Sequence, residues 1–432
     1  MTTITTPKTF SSHSIFSGIV ETSRCAIKYL QELANKGELL KMSIENLGNG
    51  YKRETLCSMF YDGVIDARYP ISPIGKQYRE ISHFRKVINK PIKYFCDEEA
   101  HTELMCFVEH IDYRVFSNEM LVFSITVNNS QLSLNEITHQ NHIIRSVRNY
   151  NRGEISDDFK LLFISLQELL LRCDKKYNGD LSHSTFVGNK MYNYLLVKLD
   201  ENRDLEYCDD LLYDLSCEYK IGTSQSSECF GSPDRDYKET ILKNQSIACF
   251  SNWKGLVLND TVCIMMKSSV ADYQYRAWQV DYLEFIYMNI FYIKAYLVMM
   301  NKKYQNMSAS SSLEKEYIEF ERTFNFKNIS YNFLPQLVYD RMRVGMEIND
   351  ELCQLKEKIH GYSEKKEREN EKLINMILFV MTFLTMTSAI NDGVELFATN
   401  AMGEYNYWKI GLFAVSAIVA FILAIVIYRK LK

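Results

Sequence analysis

The sequence predicts an α+β cytoplasmic domain followed by a long stalk helix and two C-terminal transmembrane helices. Three observations predict this order. Short β-rich and amphipathic runs fill residues 15–330, no proline follows Pro335 before residue 373, and two long uncharged runs lie near the end of the sequence.

The two uncharged runs are LINMILFVMTFLTMTSAI, residues 373–390, and IGLFAVSAIVAFILAIVIY, residues 410–428. Each is close to the roughly 20 residues that cross ~30 Å of hydrocarbon. The first run contains Asn375 and several threonines and could instead be a buried core helix. The second, purer apolar run follows directly, which favours two transmembrane helices.

Charges around these runs predict the orientation of the chain. Basic residues flank the pair at Lys365, Lys366, Arg368 and Lys372 and in the tail, residues 429–432. The connecting segment, residues 391–409, carries only Lys409 against three acidic residues. Because Lys and Arg are retained on the cytoplasmic side, we expect residues 391–409 to be an outer loop and both termini to be cytoplasmic. The expected location is the inner (cytoplasmic) membrane.

Composition excludes several classes of protein. The chain has 432 residues, 47% hydrophobic residues and a formal net charge of -4. This is enough apolar content for one or two folded domains, and the net charge indicates no direct binding of nucleic acid. The 11 cysteines contain no CxxC pair, which suits a reducing cytosol. Residues 1–14 lack an apolar signal-peptide core and are expected to be disordered.

Residues 15–330 are predicted to form an α/β sensor domain. Helical periodicity is found at about residues 15–41, 134–173 and 274–304, the last with many aromatic residues. Strands are predicted within residues 92–127 and at residues 193–199, 246–250, 255–258 and 261–266.

Residues 331–372 are predicted to be a stalk helix. If the helix runs without a break from Gln336 to Ile390, it is about 80 Å long. Leu352, Leu355, Ile359 and Tyr362 follow heptad-like spacing that would pack against neighbouring copies. Gly345 and Gly361 are weak points of this helix, and Gly361 is a candidate hinge.

One face of the first transmembrane run is polar. On a helix, Asn375, Leu378, Thr382, Thr385, Ala389 and Asp392 share this face, which makes them candidate pore-lining residues. The alternative is that the hydroxyls bond their own helix and hold helices together. One helix cannot enclose a pore, so a pore requires a closed homo-oligomer.

Motifs of enzymes are missing from the sequence. It contains no GxSxG, HExxH, Walker or Rossmann pattern, so we expect no enzyme activity. His139 and His142 lack a third metal ligand nearby. Glu98, Glu99 and Glu103, near His101, could form a divalent-cation site between subunits, or simply a solvated acidic face.

The order of elements resembles the CorA family of divalent-cation channels. The resemblance is carried by NWKGLVLND, by the Tyr-rich helix and by EKKERENEKLINMILFVMTFLTM, within residues 240–432. It implies a homopentamer in the lipid bilayer, with the first span lining the pore and a Gly-Met-Asn signature at its outer end. Here Ser388-Ala389-Ile390-Asn391 stands at that place, so only Asn391 matches, which argues against selectivity for Mg²⁺.

A divergent branch is more similar, namely the CorA-like membrane effectors of type III CRISPR systems. This resemblance implies a channel opened by a nucleotide second messenger, S-adenosylmethionine joined to AMP (SAM-AMP), in antiviral defence. It assigns no ligand-binding residue here. The alternatives are a Mg²⁺ transporter and a membrane-tethered scaffold that does not conduct.

Overall fold

The computed structural model describes most of the chain. The described residues are 9–22, 26–43, 56–57, 60, 82–97, 102–116, 120–130, 132–145, 162, 165–166, 168–170, 172–173, 190–200, 204–226, 231–306, 311–398, 411 and 415. The chain divides into two compact units, Met1–Leu355 and Lys356–Lys432.

A sheet lies at the centre of the first unit. Its strands are β1 (Thr9–Glu21), β2 (Leu40–Lys41), β3 (Ser82–Asp97), β4 (Thr102–Phe116), β5 (Met120–Asn128), β6 (Tyr192–Leu199), β7 (Ser246–Ile247), β8 (Trp253–Val257) and β9 (Thr261–Met266). Within the described residues the strand order is β2-β3-β4-β5-β1-β6-β9-β8-β7, and only the pair β6 and β9 is parallel. The predicted α+β class is confirmed for this domain.

Short helices cover one face of the sheet. They are α1 (Ala26–Asn35), α2 (Leu134–Arg145), α3 (Asp209–Cys217) and α4 (Arg235–Gln245). Leu30 of α1 packs in one core cluster with Tyr113 and Phe123 of the sheet. Leu212 of α3 packs in a second cluster with Leu195.

One long helix covers the other face, and we call it the core helix. It consists of α5 (Asp272–Arg276), a π-helix (Ala277–Tyr287) and α6 (Met288–Asn306). The ring of Tyr292 stacks on Phe116 of β4 with centroids 3.9 Å apart, and Tyr287 lies 4.8 Å from Tyr194 of β6. The aromatic residues of this helix therefore belong to the core.

The expectation of disorder at residues 9–14, with a helix following from residue 15, is wrong, while residues 1–8 lie outside the described residues. Residues 9–21 form β1, a central strand between β5 and β6. Two of its serines are buried with partners: Ser12 Oγ donates to the carbonyl of Leu196 at 2.9 Å, and Ser14 Oγ donates to Asn141 Oδ1 at 2.7 Å. Hydrogen bonding makes this Ser- and Thr-rich segment compatible with the interior.

The expected unbroken stalk is also corrected. After α7 (Ser311–Phe324) the chain forms α8 (Phe333–Gly345), and a new helix, α9 (Ile348–Ala398), follows. At the break Glu347 has φ 57, in the left-handed region. Gly361 lies inside α9, so the helix does not break there.

Two further expectations about α9 change. Leu352, Leu355 and Ile359 are at most 7% exposed in the single chain, so they are already buried without a neighbouring copy. The helix continues to Ala398, into the segment 391–409 that we expected to be a loop.

Among the described residues, two helices are long and apolar enough to cross a membrane, judged by length and composition. They are Asp272–Gln305, whose apolar stretch is 94% buried, and Ile348–Ser388, whose apolar stretch is 0% buried. The first is therefore accounted for as the core helix. Residues 410–428, apart from Gly411 and Val415, lie outside the described residues.

Candidate functional site

A cavity of about 720 Å³ lies between the sheet and the core helix. Strands β1, β3, β4, β5 and β6 form one wall, while α5 and the π-helix form the other. Its volume lies within the ~300–1,000 Å³ of typical small-molecule sites. Its ionisable lining residues include Arg85, Glu109, Lys198, Asp272, Arg276 and Glu284, with His13 and His110 beside them.

The alternation of β4 places charged side chains on the cavity face. His110, Asp112 and Arg114 are two residues apart, so they share one face of the strand. Tyr113 between them belongs to the apolar core on the other face. The register of β3 and β4 places Arg85 directly opposite Asp112. The result is a row of buried charges under the core helix.

Asp112 and Arg114 are the centre of this row. Arg85 donates to both oxygens of Asp112, at 2.7 Å from Nε and 3.0 Å from Nη2, and Arg114 Nη2 donates to Oδ2 at 3.0 Å. Arg114 also donates to both carboxylate oxygens of Glu284 in the π-helix, at 3.0 Å from its Nε. Its Nη1 donates to Ser124 Oγ at 2.8 Å. Arg114 therefore ties the sheet to the core helix.

Neighbouring charges keep both acids ionised. Burial disfavours the ionised carboxylate of Asp112, but His110, Arg114 and other nearby cations outweigh it and hold its pKa well below the usual range. The pKa of Glu284 is likewise lowered against burial, chiefly by Arg114. Burial, assisted by Arg114, lowers the pKa of His83, so its ring is neutral at pH 7.

His83, Asp112 and Glu284 also have the composition of a metal site. One potential ligand atom from each lies within 4.8 Å of the others. However, the guanidinium of Arg114 donates to both carboxylates. A cation would have to displace it, so the geometry fits a salt-bridge network better than a metal centre. The acidic candidates Glu98 and Glu99, with His101, lie outside the described residues.

His13 connects the two walls of the cavity. Its Nδ1 lies 2.8 Å from the Tyr275 hydroxyl and its Nε2 lies 3.2 Å from Glu109 Oε1. Burial disfavours ionised Glu109, but hydrogen bonds from His13 and Asn128 lower its pKa to about 2. With Glu109 ionised, His13 Nε2 donates to Glu109 Oε1, and His13 Nδ1 shares a hydrogen bond with the Tyr275 hydroxyl. Tyr275 is thereby fixed in the wall.

The core helix also contacts the start of α9, within the first unit. Lys294 of α6 is 3% exposed, and its Nζ donates to the carbonyl of Met346 at 2.9 Å and to Glu351 Oε1 at 2.7 Å. One helix therefore contributes Glu284 to the cavity and Lys294 to the break between α8 and α9.

The candidate pore residues are all in α9. Helical register at 100° per residue places Asn375, Leu378, Thr382, Thr385, Ala389 and Asp392 within an arc of about 100°. Residue 391 falls about 150° from the middle of this arc. Asn391 is a candidate because of the CorA resemblance and not because of this arc, and its backbone also belongs to α9.

The threonine hydroxyls of this segment bond their own helix. Thr382 donates to the carbonyl of Leu378 at 2.7 Å, and Thr385 donates to that of Thr382 at 2.9 Å. These bonds satisfy the hydroxyl protons where no water is present. The hydroxyl oxygens of Thr382 and Thr385 can still accept hydrogen bonds on the same face of the helix.

Sequence reasoning did not identify the cavity residues. The available signals were the alternation of His110, Asp112 and Arg114 in β4 and the presence of Glu284 in a helix rich in aromatic residues. A charged residue in a buried face requires a partner, and the sequence does not say which one.

Comparison of the chain with models of known protein families gives no match, and comparison with curated proteins gives none. Fold and site geometry therefore carry the functional argument.

Proposed function

We propose that the chain is a CorA-like, homo-oligomeric channel of the inner membrane, opened by a ligand bound in the cytoplasmic domain. The ligand is a nucleotide second messenger of the SAM-AMP type, and the role is type III CRISPR antiviral defence. The observation that carries the membrane part is the exposed apolar segment of α9. Its exposed side chains are Leu373, Ile374, Ile377, Leu378, Phe379, Met381, Leu384 and Met386, each 45–63% exposed.

These side chains are distributed around the whole circumference of the helix, at 100° per residue. An amphipathic surface helix would show a single apolar stripe, whereas a helix that is apolar all round requires lipid or protein on every side. Covering these eight side chains is worth on the order of 10 kcal/mol. A bilayer supplies that cover along the length of one helix.

The oligomer is inferred from Asn375, Thr382 and Thr385, which lie within one arc of an otherwise largely apolar helix. Threonine and asparagine on one side of a lipid-embedded helix are stabilised when they face water or another helix. Several copies of α9 around an axis provide both, with Thr382 and Thr385 toward the centre. The CorA resemblance sets the expected number at five, with both termini in the cytoplasm and residues 410–428 as the second span.

The cavity supports a ligand-operated mechanism. A ligand between the sheet and the π-helix would touch the helix that also carries Lys294. A shift of that helix would act on the Lys294 contacts with Met346 and Glu351, at the start of α9. The effect of ligand binding would thereby be transmitted to α9 through the core helix.

Ion flux from vesicles containing the reconstituted protein tests this proposal. We expect ligand-evoked flux that is lost in the double variant Thr382→Leu, Thr385→Leu. The matched control is Met381→Leu, Met386→Leu, which changes the same segment without removing hydroxyls and should conduct normally. Unchanged flux in the threonine variant would exclude the pore face.

Two other outcomes would assign the alternative functions. Growth rescue of a Mg²⁺-transport-deficient strain, with Mg²⁺ flux that needs no nucleotide, would indicate a divalent-cation transporter. An oligomer that inserts in lipid but never conducts would indicate a scaffold. A monomeric particle in lipid would exclude the channel.

A further inference from the structure

At the cavity, an ion pair joins a buried cation to an exposed anion. Nζ of Lys198 lies 2.9 Å from Oδ1 of Asp272. The side chain of Lys198 is 4% exposed, whereas that of Asp272 is 93% exposed. Water competes strongly for an exposed carboxylate, so Asp272 is an exchangeable partner for a buried ammonium.

Other donors surround the position of the Asp272 carboxylate. Arg276 follows Asp272 by four residues, so the two side chains lie on neighbouring turns of the same helix face. Ser11 of β1 lies directly opposite Lys198 of β6 in the sheet register. All four residues line the cavity. An anion at this position would be within reach of an ammonium, a guanidinium and a hydroxyl.

The same cavity has room and apolar surface for an organic group. Ile15 of β1 and Val280 and Leu283 of the π-helix contribute apolar lining. The hydroxyl of Tyr275, held by His13 at 2.8 Å, adds a fixed polar group beside them. A cavity of about 720 Å³ holds more than a bare inorganic anion.

We propose that this cavity binds an organic phosphate whose phosphate group replaces the Asp272 carboxylate on Lys198 and is also held by Arg276. A phosphate has more charge and more acceptor oxygens than a carboxylate, so it is the stronger partner for these cations. The Asp272 carboxylate then competes with the phosphate for Lys198 and weakens binding of the phosphate. The inference rests on the cavity being the ligand site of the proposed function, and it does not depend on conduction.

Isothermal titration of the full-length, detergent-purified protein tests this assignment. The probes are AMP, pyrophosphate and inorganic phosphate at constant ionic strength. We expect AMP to bind the natural chain, about 3- to 10-fold more tightly to Asp272→Asn and about 10- to 100-fold more weakly to Lys198→Gln. The matched controls are Asp236→Asn and Lys303→Gln, which change an exposed and a half-buried side chain that do not line the cavity, and both variants should bind AMP normally.

The gain in Asp272→Asn separates competition from general charge effects. Arg276 is exposed, so Arg276→Gln should fold and should lose affinity even if Lys198→Gln does not fold. The inference is overturned if no probe binds the natural chain, or if Asp272→Asn binds AMP no more tightly. Equal affinity for AMP and inorganic phosphate would show that the organic group of the ligand contributes nothing to binding, and would overturn that part of the inference.

The same preparations distinguish this inference from the channel proposal. Anion binding with the predicted variant pattern but without ion flux from vesicles would exclude the channel and leave the inference standing. Ligand-evoked flux without binding of any of these anions would overturn the inference alone.

Discussion

The ammonium of Lys294 lies 2.7 Å from Oε1 of Glu351, joining the core helix to the first turn of α9. The same ammonium also donates a hydrogen bond to the carbonyl of Met346, at the break before α9. The lysine is buried and the carboxylate is 24% exposed. This places a fixed charge pair between the helix that walls the cavity and the helix that carries the apolar segment.

Replacing Lys294 by Met should weaken this connection. The variant leaves Glu351 without its cation and removes a donor from the Met346 carbonyl, so we expect a loss of about 1–3 kcal/mol in the free energy of unfolding. Thermal unfolding of the detergent-purified protein measures it. Ligand binding should persist while ligand-evoked flux falls.

The exposed pair of Lys303 and Glu316, with Nζ to Oε2 at 3.1 Å, provides the control. Lys303→Met should cost less than about 0.5 kcal/mol because exposed pairs are screened. Equal effects of the two substitutions would show that the Lys294 contact has no special role.

Arg114→Met should reverse the pH dependence of stability. In the natural chain the pKa values of Asp112 and Glu284 are lowered. Their contribution to the free energy of unfolding is therefore present above about pH 4 and is lost as pH falls below it. Without the guanidinium, Glu284 loses the main group that lowers its pKa, so burial raises that pKa and stability should instead fall as pH rises toward 7, whereas Arg85 still pairs with Asp112. We expect a cost of about 3–5 kcal/mol at pH 7.

Urea unfolding at several pH values from about pH 4 to about pH 7 measures this slope. The control is Arg235→Met, which removes an exposed i,i+4 pair with Glu239. A variant that loses stability equally at every pH would show that Arg114 acts through packing and not through charge.

Much of the fold could be predicted from periodicity, but not where polar residues are buried. The runs around LVFSITV and NYLLVKL predicted β5 and β6 because their residues are apolar and β-branched. Residues 9–14 were missed because Ser and Thr are typical of disordered ends, and only the distant partners Asn141 and Leu196 make them a strand. Polar burial depends on tertiary contacts, which no local pattern contains.

The site was missed for the same reason. His110, Asp112 and Arg114 alternate visibly, yet their partner Glu284 lies 170 residues beyond Arg114 in an apolar helix. The sequence marks Gly345 as a weak point of the stalk, and α8 does end there, but the close approach of Gly345 to Val257 of β8 is a tertiary contact that no local pattern shows.

Asp281→Asn should stabilise the protein most at high pH. Burial raises the pKa of Asp281 to about 7, opposed only in part by Arg276. The unfolded carboxyl titrates near ~3.9, so the native chain loses stability from there up to about pH 7 and no further. The variant should therefore match the natural chain at acid pH and exceed it by roughly 1 kcal/mol at pH 8, allowing for partial exposure.

Thermal unfolding across this pH range measures the difference, and Asp200→Asn, an exposed substitution, is the control. A constant difference between variant and natural chain at all pH values would show that the carboxyl of Asp281 does not titrate abnormally.

Two glycines near the start of α9 should respond oppositely to the same change. A Cβ at Gly345 would lie 2.5 Å from the carbonyl oxygen of Val257, and backbone of the sheet cannot move away easily. Gly345→Ala should therefore cost about 1–3 kcal/mol. At Gly361 a Cβ would meet no atom within 4 Å, so Gly361→Ala should gain about 0.5–1 kcal/mol of helix stability.

Thermal unfolding and ligand-evoked flux of the two variants separate packing from hinge motion. If residue 361 were a hinge, alanine there would stiffen α9 and reduce flux even as stability rose. Because Gly361 lies inside a continuous helix, we expect normal flux in Gly361→Ala. Gly345→Ala should lose both stability and flux, since the tight contact with Val257 fixes the end of α8 from which α9 departs.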